Sequence, residues 1–85
     1  MKYNVKGLNW AKNMEQYDED EQKILLALSH NDYKWRTKER LGSATGLEKT
    51  VLEQKLAKLI DNEVVRPSFS KTKNLIFGLT DRVGK

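Results

Sequence analysis

The chain contains no cysteine among its 85 residues. That excludes a disulfide scaffold, a thiol nucleophile and every cysteine-based zinc or iron–sulfur site. One histidine, His30, is too few for an all-histidine metal site, and no metal site is expected. Long apolar runs are also missing. The longest is Ile24-Leu25-Leu26-Ala27-Leu28, far short of the roughly 20 residues a membrane span needs. Residues 1–6 hold no apolar h-region of a secretory signal. These absences lead to the expectation of a soluble, cytoplasmic protein with no membrane partner. Paired catalytic groups are absent as well. The carboxylates of residues 18–21 are consecutive rather than set across a cleft, and Ser29-His30 has no third member for a triad. No catalytic residue, cofactor or small-molecule ligand is expected, and His30 reads as a cap at a helix C-terminus. A chain this short has to draw its stability from one compact apolar cluster.

What is present is charge, unevenly placed. The formal total is +4, from 16 Lys and Arg against 12 Asp and Glu. Residues 18–33 carry a net −4, residues 34–49 carry +3 and residues 64–85 carry +4. A modest positive excess in two blocks points toward a polyanionic partner.

The apolar spacing organises the chain. Asp18 and Glu21 form a capping-box pair at the start of a helix over 18–29, with Tyr17, Ile24, Leu25 and Leu28 on its inner face and Leu26 opposite. Trp10, Met14 and Tyr17 recur at helical spacing, so 9–17 is predicted as a short amphipathic helix within an N-terminal arm (1–17), and 1–7 as extended or disordered. Tyr33-Lys34-Trp35 alternates like a short strand. Thr37 then caps a helix over 38–45 with Leu41 and Ala44 inward, and Gly46 ends it in a left-handed turn. Leu52, Leu56 and Leu59, at i, i+4 and i+7, give the strongest periodic signal and predict a helix over 48–62. Asn62 is the residue expected to take the left-handed turn after it. Gly42 stands where Ala would favour the helix, which suggests a close approach of two helices. Two β-prone runs around residues 70–74 form a hairpin, with Pro67 at an edge or a bulge.

In sequence these residues stand as Trp35-Arg36-Thr37, Leu41, Thr45-Gly46-Leu47, Leu52, Leu56, Leu59, Val64-Val65 and Phe77-Gly78-Leu79-Thr80. The set resembles the bacterial winged helix-turn-helix pattern over roughly residues 18–82. There an R-T pair opens the second helix, T-G-L forms the turn and G-L-T closes the second wing strand. The resemblance implies a mainly helical α+β fold: a three-helix core with a C-terminal β-hairpin wing in a domain at 18–85, preceded by a short N-terminal arm. It also implies a DNA-binding module of a small transcriptional regulator, whose helix 48–62 lies in the major groove while the hairpin tip tracks the backbone or minor groove.

On that basis the candidate contacts to double-stranded DNA fall in three groups. Arg36, Thr37 and Lys38, with Arg40, make a phosphate site at the second-helix start. Lys49, Thr50, Gln54 and Lys58 lie along the third helix, where Gln54 suits an adenine edge. Lys71 and Lys73 sit at the wing tip, with Arg66 behind them. Residues 48–63, the third helix with the residue after its turn, carry a net −1 and no arginine, so backbone contact is better supported than base reading. The alternative is a winged helix that serves as a protein-interaction or oligomerisation module. Its candidate dimer or partner contacts are Trp10, Met14 and Leu26.

Overall fold

The computed structural model describes residues 14–30 and 34–83. The expected contact at Trp10, the strand position of Tyr33 and most of the predicted helix over 9–17 lie outside those residues. Of that helix, Met14–Gln16 is a single 3-10 turn. After it come α1 (Glu19–Ala27), β1 (Trp35–Thr37), α2 (Lys38–Thr45), α3 (Lys49–Asp61), β2 (Val65–Phe69), β3 (Leu75–Leu79) and a last short turn, α4 (Thr80–Val83). The strands form one antiparallel sheet in the order β1-β3-β2. This is a winged-helix fold.

Local chemistry fixes most of the boundaries. Asp18 accepts from the Glu21 backbone N–H at 2.8 Å, and Glu21 Oε1 accepts from the Asp18 N–H at 3.0 Å, so the capping box closes as its spacing predicts. Thr37 Oγ1 accepts from the Arg40 N–H at 3.2 Å. That residue is at once the last of β1 and the cap of α2, so β1 falls two residues later than the aromatic alternation suggested. Gly46 ends α2 at φ +73°.

Four expectations are corrected. The left-handed residue after α3 is Glu63 (φ +62°), whereas Asn62 stays at φ −83°. The Val64 N–H donates to Leu59 O and the Glu63 N–H to Ile60 O, a Schellman pattern whose αL position is the second residue after the helix. Gly42 reflects no tight crossing. A Cβ built there meets Leu52 at 3.8 Å, an ordinary contact. Ala44 is exposed although it follows Leu41 at i+3, about 60° round the helix, so the buried stripe of α2 is narrower than that spacing implied. The α1 C-terminus, at which the sequence suggested His30, is held by arginines. Arg36 Nε donates to Ala27 O at 3.0 Å, and Arg82 Nη1 donates to Leu28 O at 2.9 Å and to His30 O at 2.7 Å.

The core gathers Ile24 and Leu25 from α1 and Leu28 from its C-cap, Leu41 from α2, Leu52, Leu56 and Leu59 from α3, and Val65, Phe77 and Leu79 from the sheet. Gly78 admits the close packing of the sheet centre. A Cβ there would stand 2.9 Å from the Lys34 carbonyl oxygen, 2.9 Å from Val83 and 3.0 Å from Trp35. Thr80 closes the far end by donating its hydroxyl to Glu63 O at 2.8 Å and its N–H to Val64 O at 3.0 Å.

Candidate nucleic-acid interface

With Leu52, Leu56 and Leu59 buried, α3 turns Lys49, Thr50, Glu53, Gln54, Ala57, Lys58 and Asp61 outward. No other described element covers that face, and it is the one the leucine spacing predicted. Its charges are not independent of the rest of the domain. Lys38 Nζ reaches Glu53 Oε2 at 2.6 Å, tying the first residue of α2 to the middle of the exposed face. On the flank, Lys55 Nζ meets Asp18 Oδ2 at 2.6 Å. Lys58 Nζ lies 3.8 Å from Oε2 of Glu21, a carboxylate only 2% exposed.

These pairs set the electrostatics. The Lys38 ammonium holds the Glu53 carboxyl below the usual glutamate range. The hydrogen bond from Lys55, and next that from the Glu21 backbone N–H, lowers Asp18, and the Asp18 carboxylate in turn raises Lys55. Burial first, then the carboxylates of Glu21 and Asp81, raises the Tyr17 phenol. The slight negative excess read over residues 48–63 is therefore partly cancelled in space by Lys38, a residue fifteen positions away from Glu53 in the chain.

The predicted phosphate group at the α2 start divides. The Arg36 guanidinium is committed through Nε to the α1 C-terminus, the Thr37 hydroxyl to the α2 cap, and Lys38 to Glu53. Arg40 is exposed, as is Lys49, and neither has an ion-pair partner among the described residues. A groove of about 350 Å³ runs between α2 and α3, lined by Lys38, Glu39, Gly42, Leu47, Lys49 and Leu52.

Two links connect the three groups. Lys38 touches α3 through Glu53, and its neighbour Thr37 is paired with Ile76 of β3. That pair is the last rung of β1, and beyond it the β2–β3 hairpin continues without a third strand. Its turn, residues 70–74, is closed by Ser70 N–H to Asn74 O (2.9 Å) and Lys73 N–H to Ser70 O (2.9 Å), with side-chain bonds among Ser70, Thr72 and Asn74. Lys71 and Lys73 project from this turn, exposed and without ion-pair partners among the described residues.

The sequence reading missed the apolar content of this region. Phe69 is 69% exposed and Leu75 43% exposed, and they face each other as the outermost pair of the hairpin. Leu26 is 41% exposed on the outer face of α1. The Met14 side chain lies outside what the structure describes. No described helix is long and apolar enough to cross a membrane.

No protein-family model matches the sequence, and a comparison with curated proteins finds no match. Among solved structures the chain is similar to a MarR family transcriptional regulator from Silicibacter pomeroyi DSS, with a TM-score of 0.71 and 21% identity. The alignment covers 92% of this chain and 52% of that one, so the chain spans about half the length of that regulator. At this identity the likeness carries the fold.

Proposed function

We propose that the domain is a duplex-DNA-binding module of a transcriptional regulator. The observation that carries this reading is the junction at Thr37 and Lys38, which links the α2 start to the uncovered face of α3 through Glu53 and to β3 of the wing through Ile76. Lys49, Thr50 and Gln54 enter the major groove, with Lys58 at the flank. The α2 start, through Arg40, and the wing, through Lys71 and Lys73, rest on phosphates. The fold likeness to a protein described as a transcriptional regulator supports the same reading.

Backbone contact carries most of the affinity, because α3 offers no arginine to guanine and Glu53 stands among its exposed residues. Some four unpaired cations, Arg40, Lys49, Lys71 and Lys73, imply a slope of about −4 in log affinity against log salt. Titration of random-sequence duplex DNA at low and moderate salt tests this. Binding that weakens with that steepness supports the reading. No binding at low salt, with the protein sedimenting as a stable dimer, would replace it with the oligomerisation module.

A further inference from the structure

We propose that the distal wing is an apolar contact for the deoxyribose wall of the minor groove, with Phe69 and Leu75 packing on sugar faces between phosphates held by Lys71 and Lys73. The inference rests on the DNA-binding reading and adds to it a contact that no charge accounts for. Val65, Pro67 and Phe69 share one face of β2, opposite Leu79, Phe77 and Leu75 of β3. The inner rungs of that face, Val65, Phe77 and Leu79, are in the core, whereas the last rung, Phe69 with Leu75, continues past it into solvent. A single exposed apolar residue on a surface is ordinary. Here two are paired across strands, directly below a turn that carries two lysines.

The turn itself is costly in a way that favours a role for its charge. Lys73 sits at φ +64°, where glycine would be less strained, and the hydrogen bonds of Ser70, Thr72 and Asn74 hold it there. The result is a fixed tip with two cations above an apolar pair. The sugar–phosphate wall of a duplex alternates the same two characters, anionic phosphate and apolar deoxyribose, and apolar side chains are a recurrent means of engaging the minor groove. A second copy of this chain adding to the open edge of β2 is a poorer occupant. Pro67 lacks the N–H such pairing needs, and the two lysines would repel their counterparts.

Phe69→Thr puts a strand-favouring β-branched residue in place of the ring, and Phe69→Leu restores an apolar side chain. Affinity for random-sequence duplex DNA is measured over a range of salt, alongside sedimentation of the free protein. The expected result is a loss of about five- to tenfold for Phe69→Thr at every salt concentration, with the salt slope unchanged and most of the loss recovered in Phe69→Leu. Lys71→Gln with Lys73→Gln should instead flatten the slope by about 2. Wild-type binding by Phe69→Thr overturns the apolar contact and leaves the DNA-binding reading standing. A flattened slope in Phe69→Thr also overturns it, since the ring would then act only by ordering the lysines. A change in sedimentation with DNA affinity intact assigns the pair to self-association. If the wild-type protein fails to bind duplex DNA, both readings fall together.

Discussion

Two glycines with the same side chain, or lack of one, answer to different constraints. Gly42 lies in the interior of α2 with ordinary helical backbone and room for a methyl group, so Gly42→Ala should raise stability by about 0.5–1 kcal/mol through the lower entropy of the unfolded chain. Gly78 is boxed in by the Lys34 carbonyl oxygen, a backbone atom that cannot swing aside, and by Val83 and Trp35. Gly78→Ala should cost about 1–3 kcal/mol as an overpacking change. Thermal melts of the two variants should move in opposite directions, and a gain for both would show that the sheet centre has slack. A sequence shows that each position is glycine. Only the neighbours across space show which one has to be.

At the scale of elements, α3 is held by its leucines and steered by its ion pairs. Leu56→Ala should cost on the order of 2–5 kcal/mol, because Leu56 lies within the core that α3 shares with α1 and the sheet. Reversing both wing lysines, Lys71→Glu with Lys73→Glu, should weaken DNA binding with the melting temperature unchanged, since both side chains are exposed. Unaltered affinity in that pair would remove the wing from the interface. The Asp18–Lys55 pair gives α3 a pH dependence. The folded-state pKa of Asp18 lies below its ordinary value of about 3.9, so the folded protein binds that proton more weakly than the unfolded chain does. Its stabilisation is present above about pH 4 and lost as pH falls through the lower folded value. Glu53 has the same sign. Lys55, raised, stays charged throughout that window. Asp18→Asn keeps a capping side chain and loses the charge. Its melting temperature should fall less steeply than the wild type's as pH drops from about 5 to 2. An identical acid profile would show that Asp18 does not carry that dependence.

For the whole molecule, closure runs through Arg82. It donates to Leu28 O and His30 O, joining α4 to the end of α1 across more than fifty residues of chain. Arg82→Ala leaves those part-buried carbonyls without that donor and should lower stability by about 1–3 kcal/mol, read as an earlier midpoint in denaturant. Much of the architecture was legible in the sequence because its signals are local. The Asp18–Glu21 box, the Thr37 cap, the Gly46 turn and the leucine spacing of α3 each act within a few residues, and each sits where it was expected. The α1 end depends on arginines that come from elsewhere in the chain, whereas at the α3 end a local Schellman turn sets Glu63 rather than Asn62 in the left-handed position.

The candidate interface divides along the same line. The sequence by itself determined the winged-helix order, the outward face of α3 and the basic hairpin tip, because periodicity and turn chemistry depend on spacing along the chain. The tertiary structure alone decided which of the basic residues remain available. Arg36 is drawn to the end of α1 and Lys38 to Glu53, while Lys49, Lys71 and Lys73 have no such partner among the described residues. It also decided that Phe69 and Leu75 stand outside the core. The physical reason is that an ion pair or a burial depends on distance in space, and residues nine to fifty-four positions apart are brought to 2.6–3.0 Å only once the elements have packed.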